Sequence, residues 1–592
     1  MKFWVLASLI LISMSFADDD PRKVLIVYNT AFPDRNGDGI GDSQEAAEYY
    51  AAKRGVPATN IIGLPLPNST YFSNWRQFYE QLVVPVRAKI DSLGERNIFY
   101  ILLSYGIPER VNTPASPRSM RGVDNVLCLP SMLDSAGTVF PTYWYYNVAY
   151  FESSPTRGSD RGHFTGNERL LGNRLFLVTR LDGIDVEYAK GLVDMALYGE
   201  KYIYPDSGYY NGIGYVDTRY AHYPDSVLIR GYPFGYGSYA RADSSMAFGK
   251  FFVVDAGFKL MWEYHETEIG ESGAVFEDGT SAEYAPNALW YEGWYNYNKY
   301  QDAWEWIPGS AACDLNSNSG AHMRDSLARS FLTNAFKRGL TCGVGCVGEP
   351  YLSGHARPEV FLYYMLNGFN FAEASYLSQP ALLWRAIHIG DPLYNPMKPK
   401  TPIMDTIPPP MPAITLTSRG DTAKIKLEIP TSADRPELMK AKIIYGRSLA
   451  ALTDSTDWTP LWRTRQEIVI TGLIPDSMYY FIVTMKDPVG NISTTAGDSF
   501  ICGRDGLVGI ASNEKLPENM KLIAYPNPFN TAVRIKAPIG ATISIYSIDG
   551  RVVATFSRNE IIWHPETNSS GVYIVAAKKG KTSIKIKIMY IK

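Results

Sequence analysis

The stretch "DRNGDGIGDSQE", Asp34 to Glu45, sets oxygen-bearing side chains at regular intervals. Asp34, Asn36, Asp38, Asp42 and Glu45 stand at positions 1, 3, 5, 9 and 12 of the loop, with Gly39 at position 6. A hard cation such as Ca2+ binds to a cage of oxygens. A loop of this spacing supplies one, with a glycine for the sharp turn and a closing carboxylate that can use both of its oxygens. Ile40, at position 7, would add its backbone carbonyl. The spacing predicts a calcium site made by Asp34, Asn36, Asp38, Ile40, Asp42 and Glu45. The competing reading is an Asx-rich surface turn that holds no ion. The apolar run "KVLIVYN" precedes the loop and a helix pattern reaching Arg54 follows it. Such a loop between strand and helix suits a structural clip better than a paired sensor hand.

A second candidate is a thiol. The chain has five cysteines, Cys128, Cys313, Cys342, Cys346 and Cys502, an odd number that leaves at least one unpaired within it. Cys342 and Cys346 in "TCGVGC" lack the further nearby ligands a zinc site needs, and a bridge between them would be geometrically demanding. Cys313, in "SAACDL", closes an apolar run. A thiol so placed can act as a nucleophile when a base removes its proton. His322 follows in the same segment, and His222 and His265 would reach it only if folding brought them there. The candidate catalytic pair is thus Cys313 with His322. The plainer alternative is a small buried residue and a surface imidazole. Arg180 and Asp182 suit a buried ion pair, Asp391 before Pro392 a turn cap, and Glu349 before Pro350 a hydrogen bond across a cleft. No P-loop, Gly-x-Ser-x-Gly elbow or His-Glu-x-x-His helix occurs.

These residues need elements to position them. From Arg22 to Pro396 apolar runs such as "NIFYILLS", "RLFLVTR", "GIGYVD", "ALWYEGW" and "LTCGVGC" alternate with helix patterns such as "SQEAAEYYAAKR" and "DVEYAKGLVDMAL". That alternation predicts an α/β unit with a mostly parallel sheet, and its active region at the carboxyl ends of the strands. The proline-dense stretch 397–412 reads as an extended spacer. Period-2 runs in 413–503 predict a β-sandwich. A small, polar stretch, 504–519, leads to a last all-β segment, 520–592.

The net charge of -3 argues against a broad nucleic-acid surface. Residues 1–17, "MKFWVLASLILISMSFA", read as a secretory signal peptide, too short for a membrane anchor. No later run is long and apolar enough to span a bilayer. Aromatics make up 13%, which admits a glycan-binding or glycan-cleaving reading beside ordinary core packing.

Three resemblances sharpen this outline. "TGLIPDSMYYFIVTMKDPVGN" resembles the last third of a fibronectin type III domain, in which Leu473 and Tyr479 would build the tyrosine corner. "YPNPFN", "IYSIDGR", "GVY" and a basic strand-like end, in that order, resemble the C-terminal sorting domain of the type IX secretion system. That resemblance implies the secretion machinery as partner, passage across an outer membrane, and cleavage or attachment at the cell surface. "YGIP", "VTRLDG", "GVGCVGEPYL", "GFNFAEASYLS" and "GDPLYNP" resemble an uncharacterised family of secreted bacterial proteins. The later half also resembles, distantly, the gingipain-type cysteine peptidases, which implies a caspase-like fold with Cys313 near the nucleophile's place. The position expected to carry the base then holds Tyr105-Gly106, which would leave the dyad incomplete. Two functions follow from that departure, a non-proteolytic surface protein or a cysteine hydrolase with a rearranged base. A peptide or glycan is the expected ligand.

Overall fold

The run Val24–Val27 is buried on both sides, so the strand it forms, β1 (Val24–Asn29), needs cover on both faces. The same holds for β3 (Tyr100–Leu103) and β4 (Leu177–Arg180), every residue of which is buried. A computed structural model describes residues 19–114, 120–140, 144–147, 162–206, 210, 212–220, 238–294, 299–429, 439–461, 466–508, 522–538, 540–548, 550–565, 568–579 and 582–591. The expected signal peptide, His222 and residues 509–519 of the second expected linker lie outside them. The described residues fall into two compact units that divide after Leu507.

The first unit is built on a ten-stranded sheet. Its further strands are β2 (Ile61–Leu64), β5 (Ile213–Asp217), β6 (Lys259–Glu263), β7 (Ala285–Trp294), β8 (Trp304–Leu315), β9 (Cys342–Cys346) and β10 (Ala386–Ile389). Their order is β6-β5-β7-β8-β9-β10-β4-β3-β1-β2. Neighbours are parallel along β2-β1-β3-β4 and along β6-β5-β7-β8-β9, while β10 pairs antiparallel with β9, Cys346 opposite Ala386, and meets β4 by the single bridge Arg180–Ile389. The sheet is therefore mostly parallel, as the alternation predicts. The loops after β3, β4 and β8 meet, so both sets send their carboxyl ends to one side and β10 runs against them.

Helices α1 (Asp42–Arg54) and α2 (Val186–Tyr202) pack together, as do α3 (Tyr239–Asp255) and α4 (Pro358–Leu366), which lies on β7 and β8. The short α5 (Phe371–Ser378) starts with a reciprocal cap in which Asn370 and Glu373 satisfy each other's backbone amides. The aromatics that raised the glycan reading serve this interior. Trp290, Tyr291, Trp304 and Trp306 are all buried, and Trp304 stacks on Trp306 with centroids 4.8 Å apart.

The proline-dense stretch has no helix or strand, yet it is not a free spacer. Lys400 Nζ donates to the carbonyls of Glu200 and Pro396, 2.6 and 2.8 Å away. The Asp405 carboxylate accepts from Tyr198 Oη at 2.7 Å. Two sheets follow, Ala413–Arg419 with Thr422–Glu428 and Glu467–Ile470, and Met439–Gly446 with Met478–Lys486 and its partners. Their alternating inner residues share one core. Tyr479 Oη accepts from the Ile474 amide at 3.0 Å. Leu473 and Tyr479 are buried, whereas Pro475 is exposed.

The second unit also has two antiparallel sheets, one of three strands and one of four, around a core that includes Val533, Ile543, Ile545 and Val575. Among the described residues no helix is long and apolar enough to cross a membrane.

Candidate functional site

The carboxyl ends of β3, β4 and β8 come together: Arg324, after β8, meets Asp182 at 2.9 Å and the carbonyl of Ile107, and His322 N donates to Glu109 at 3.0 Å. Tyr105, just after β3, and Cys313, in β8, are nevertheless kept apart along the sheet by β9, β10 and β4. Tyr105 does not occupy the place from which a base would serve Cys313. The strand beside β8 on its other side is β7, where Glu292 pairs in register with Cys313.

In the half of the sheet formed by β1–β4, charge is matched by charge. Arg180, wholly buried, donates to Asp124 at 2.6 Å, to Asp182 at 3.1 Å and to the carbonyls of Ile107 and Pro108. Arg324 adds a second cation on Asp182 at 2.9 Å. Asp391 accepts from Leu393 N, as a turn cap does, and also from Tyr50 Oη at 2.9 Å and Arg54 Nε at 2.5 Å. Arg54 turns its other nitrogens to Glu200 at 2.8 and 2.9 Å.

The loop Asp34–Glu45 leads from β1 in this half. Asp34, Asn36, Asp38 and Ile40 are exposed, while Asp42 is buried at the start of α1. The loop's side-chain oxygens face its own backbone. Asp34 accepts from the amides of Gly37 and Gly39, Asn36 from Asp38, Asp38 from Ile40, and Asp42 from Arg35. Those amides hold the Asp34 carboxyl below its usual range. Positive φ at Gly37 and Gly39, 81° and 96°, allows the tight course. Asn36 Nδ2 lies 2.9 Å from Glu45 Oε2, so positions 3 and 12 do close on one another. Glu45 Oε1 meets Lys190 Nζ at 2.7 Å. Among the described residues no group of three or more His, Cys, Asp or Glu is arranged to hold a metal ion.

In the half formed by β5–β8, Glu292 and Asp314 are buried with no ion pair among the described residues, while Arg219 meets Glu268 at 3.4 Å. Glu263, Asp217, Gly293 and Asp314 form one register row across β6, β5, β7 and β8 and share a face. Burial pushes the carboxyls of Asp217 and Asp314 well up, and Glu263 and Glu268 add to the rise at Asp217. Glu263 Oε1 accepts from Thr267 Oγ1 and the His265 amide and lies 2.8 Å from His265 Nδ1. On the other face stand Glu292 and Cys313. Glu292 is wholly buried, and neither of its oxygens has a hydrogen-bond partner among the described residues. Burial, then the nearby Glu359, pushes its carboxyl well up. Gly249 of α3 lets that carboxylate approach, because a Cβ there would lie 1.9 Å from Glu292 Oε1.

Cys313 is buried in this setting. Burial pushes its thiol well up, and Asp314, Cys346, Glu359 and Glu292 push the same way. No hydrogen bond links it to a histidine among the described residues. His322 is exposed at φ 61°, and its backbone amide donates to Glu109 at 3.0 Å. His265 is held by Glu263 on the row that faces away. The sulfur with an imidazole beside it is Cys346, whose Sγ lies 3.5 Å from His355 Nδ1. Both residues are buried. Burial lowers His355 to about 4 and raises the Cys346 thiol, so the pair is neutral near pH 7. All five cysteines are free. Cys342 and Cys346 sit at opposite ends of one extended strand, too far apart to bridge.

Sequence reasoning missed Glu292 and the Cys346–His355 pair. The signals present were a lone acid inside the apolar run "ALWYEGW" and a histidine soon after "GVGC".

Comparison with known proteins bears on both units. The first-unit region resembles, in solved structures, a complex of Porphyromonas gingivalis RgpB pro- and mature domains, at 10% identity and a TM-score of 0.34, covering 80% of this chain and 99% of that one. It also resembles the Arg-specific cysteine proteinase gingipain R, at 11% and 0.32, covering 81% and 97%. Chicken CNTN1 FN1–FN3 domains align at 10% and 0.14, over 32% and 70%. These overlaps are long in sequence and shallow in superposition. No curated protein matches the chain. Residues 523–592 match the family described as secretion system C-terminal sorting domain. The chain therefore carries a sorting domain that implies the type IX secretion machinery as its partner, and the protein is secreted or attached at the outer-membrane surface.

Proposed function

We propose that the first unit is a caspase-like scaffold that binds rather than cleaves, displayed at the cell surface and clipped by calcium at Asp34–Glu45. The setting of Cys313 carries the first part. A nucleophilic cysteine needs its thiolate, which a cation, a helix N-terminus or an imidazole stabilises. Here the polar groups acting on the sulfur are carboxyls and another thiol, and burial adds to their effect. The spacing of the loop and the approach of Asn36 to Glu45 support the calcium clip. Its donors are all oxygens, which suits a hard cation. The tyrosine contact at Ile474 and Tyr479 supports reading the sandwich as a fibronectin type III spacer or binding module.

A thiol-directed probe tests the central claim. The folded mature chain, treated with iodoacetamide and assayed on mixed peptide substrates, should show neither Cys313-dependent labelling nor cleavage, and Cys313→Ala should behave as wild type. Labelling or cleavage that disappears in Cys313→Ala would sink the proposal. A second reading, a hydrolase using Cys346 with His355, is favoured only by their 3.5 Å separation. It requires activity that vanishes in both Cys346→Ala and His355→Gln and survives in Cys313→Ala.

A further inference from the structure

Arg121 stands apart from the other buried arginines. Its residue is 2% exposed, and its guanidinium lies 4.1 Å over the ring of Trp384. Among the described residues no carboxylate, carbonyl or hydroxyl accepts a hydrogen bond from it, and its Nε is buried without a partner. Arg180 and Arg54 each have two carboxylates, and Arg174 has the carbonyls of Glu95 and Ile98. The charge facing Arg121 is of its own sign. Arg385 presses on it, and with burial this lowers the Arg121 guanidinium to about 9. Ring stacking offsets part of the cost of burying a cation, but a buried, unpaired guanidinium in a native fold calls for an explanation.

Its position supplies one. Arg121 lies in the short strand Met120–Gly122, which is locked against the start of β10. Gly122 N donates to Trp384 O at 2.8 Å, and a Cβ on Gly122 would sit 2.2 Å from Ala386 O. Ala386 faces Cys346, the last residue of β9. The guanidinium is thereby held at the edge where β5–β9 end, the edge at which open α/β sheets take ligands. Arg385 is fixed in place by Met120 O and Glu349 O and stacks on the same indole at 4.7 Å. The Glu349 carboxylate is turned to Ser317 and to the Tyr351 amide.

We propose that Arg121, with Arg385 beside it on Trp384, is a recognition site for the carboxylate group of a ligand. The chemistry left over at the site selects that group. The backbone amides nearest it are taken: Gly122 by Trp384 O, Val123 by Glu109 O, Val347 by Arg385 O and Trp384 by Asn125 Oδ1. A phosphate cradle needs such amides free. What is left is a planar guanidinium beside an aromatic floor, which fits a planar two-oxygen anion. The site is independent of the calcium loop.

Calorimetric titration of the mature full chain with N-acetylglutamate, galacturonate and inorganic phosphate, at constant ionic strength, tests the assignment. Wild type should bind one or both carboxylates more tightly than phosphate. The stronger of the two separates an acidic peptide group from a sugar acid. Arg121→Gln should abolish binding. Arg121→Lys, which keeps charge and stem but loses the fork, should weaken it at least tenfold and carries the comparison if Arg121→Gln does not fold. Thermal unfolding gives a second readout. Without anion, Arg121→Met should melt no lower than wild type, because it removes an unpaired charge. Absence of carboxylate binding by wild type, tighter binding of phosphate, unchanged binding in Arg121→Lys, or a lower anion-free midpoint in Arg121→Met would each overturn the proposal.

Discussion

The two halves of the ten-stranded sheet solve the burial of charge in opposite ways. In the half of β1–β4, Arg180, Arg324 and Arg54 neutralise Asp124, Asp182, Asp391 and Glu200. In the half of β5–β8, Asp217, Glu292 and Asp314 are buried with carboxyls pushed well up by desolvation. The first half behaves as a rigid frame. The second holds acids that burial pushes toward the neutral form, and an unpaired guanidinium stands at its margin. Polar residues at strand ends are thus no single class. Whether they brace the fold or wait for a ligand depends on what folding sets opposite them.

The largest expected effect comes from breaking the paired half. Arg180→Met should leave Asp124 buried with no cation and lower stability by about 3–5 kcal/mol, the usual cost of half a buried pair. The shift of the urea midpoint measures it. A loss below about 1 kcal/mol would mean that the pairing is not what holds this half together.

The acidic half should respond in the opposite sense. Glu292 ionises near 4.5 in the unfolded chain and well above that in the fold. The folded state then keeps a proton that the unfolded state has lost. Its contribution to stability is complete below pH 4.5 and declines as pH rises toward the folded pKa. Glu292→Gln should flatten that decline by up to about 1.4 kcal/mol per pH unit. Asp217 and Asp314 remain to supply the same sign of slope. Denaturant unfolding at a series of pH values from 5 to 8 checks it. A variant as pH-sensitive as wild type would erase the difference between the halves.

Much of the scaffold was legible because its signals are local. β1, β3, β4 and β9 are apolar runs, and their burial, complete but for Tyr28, is what such runs require. The calcium spacing is local too. What could not be read was strand order. β10, four residues long, "AIHI", is slotted between β9 and β4 from far along the chain. No periodicity encodes that pairing, and the neighbour of Cys313 is therefore Glu292 on β7 rather than Tyr105. Glu292, His355 and Arg121 were missed for a related reason. Each is a single polar residue whose meaning depends on non-local neighbours, Cys313, Cys346 and Trp384.

The smallest effect expected concerns the loop that leaves the paired half. Its acids differ from those of either half, because exposed Asp34 and Asp38 rest on the loop's own amides. Those hydrogen bonds compete with water, so turning the carboxylates to an ion costs little. Glu45 must leave Lys190, but that pair is partly exposed and weak. Calcium would then stabilise the chain by mass action, about 1.4 kcal/mol when free ion is ten times the dissociation constant. Thermal unfolding in millimolar calcium and in chelator should show a higher midpoint with the ion, and Asp38→Ala should remove the difference. A calcium response that persists in Asp38→Ala would place the ion elsewhere. No response in wild type would make the loop an Asx-rich turn, held by backbone alone.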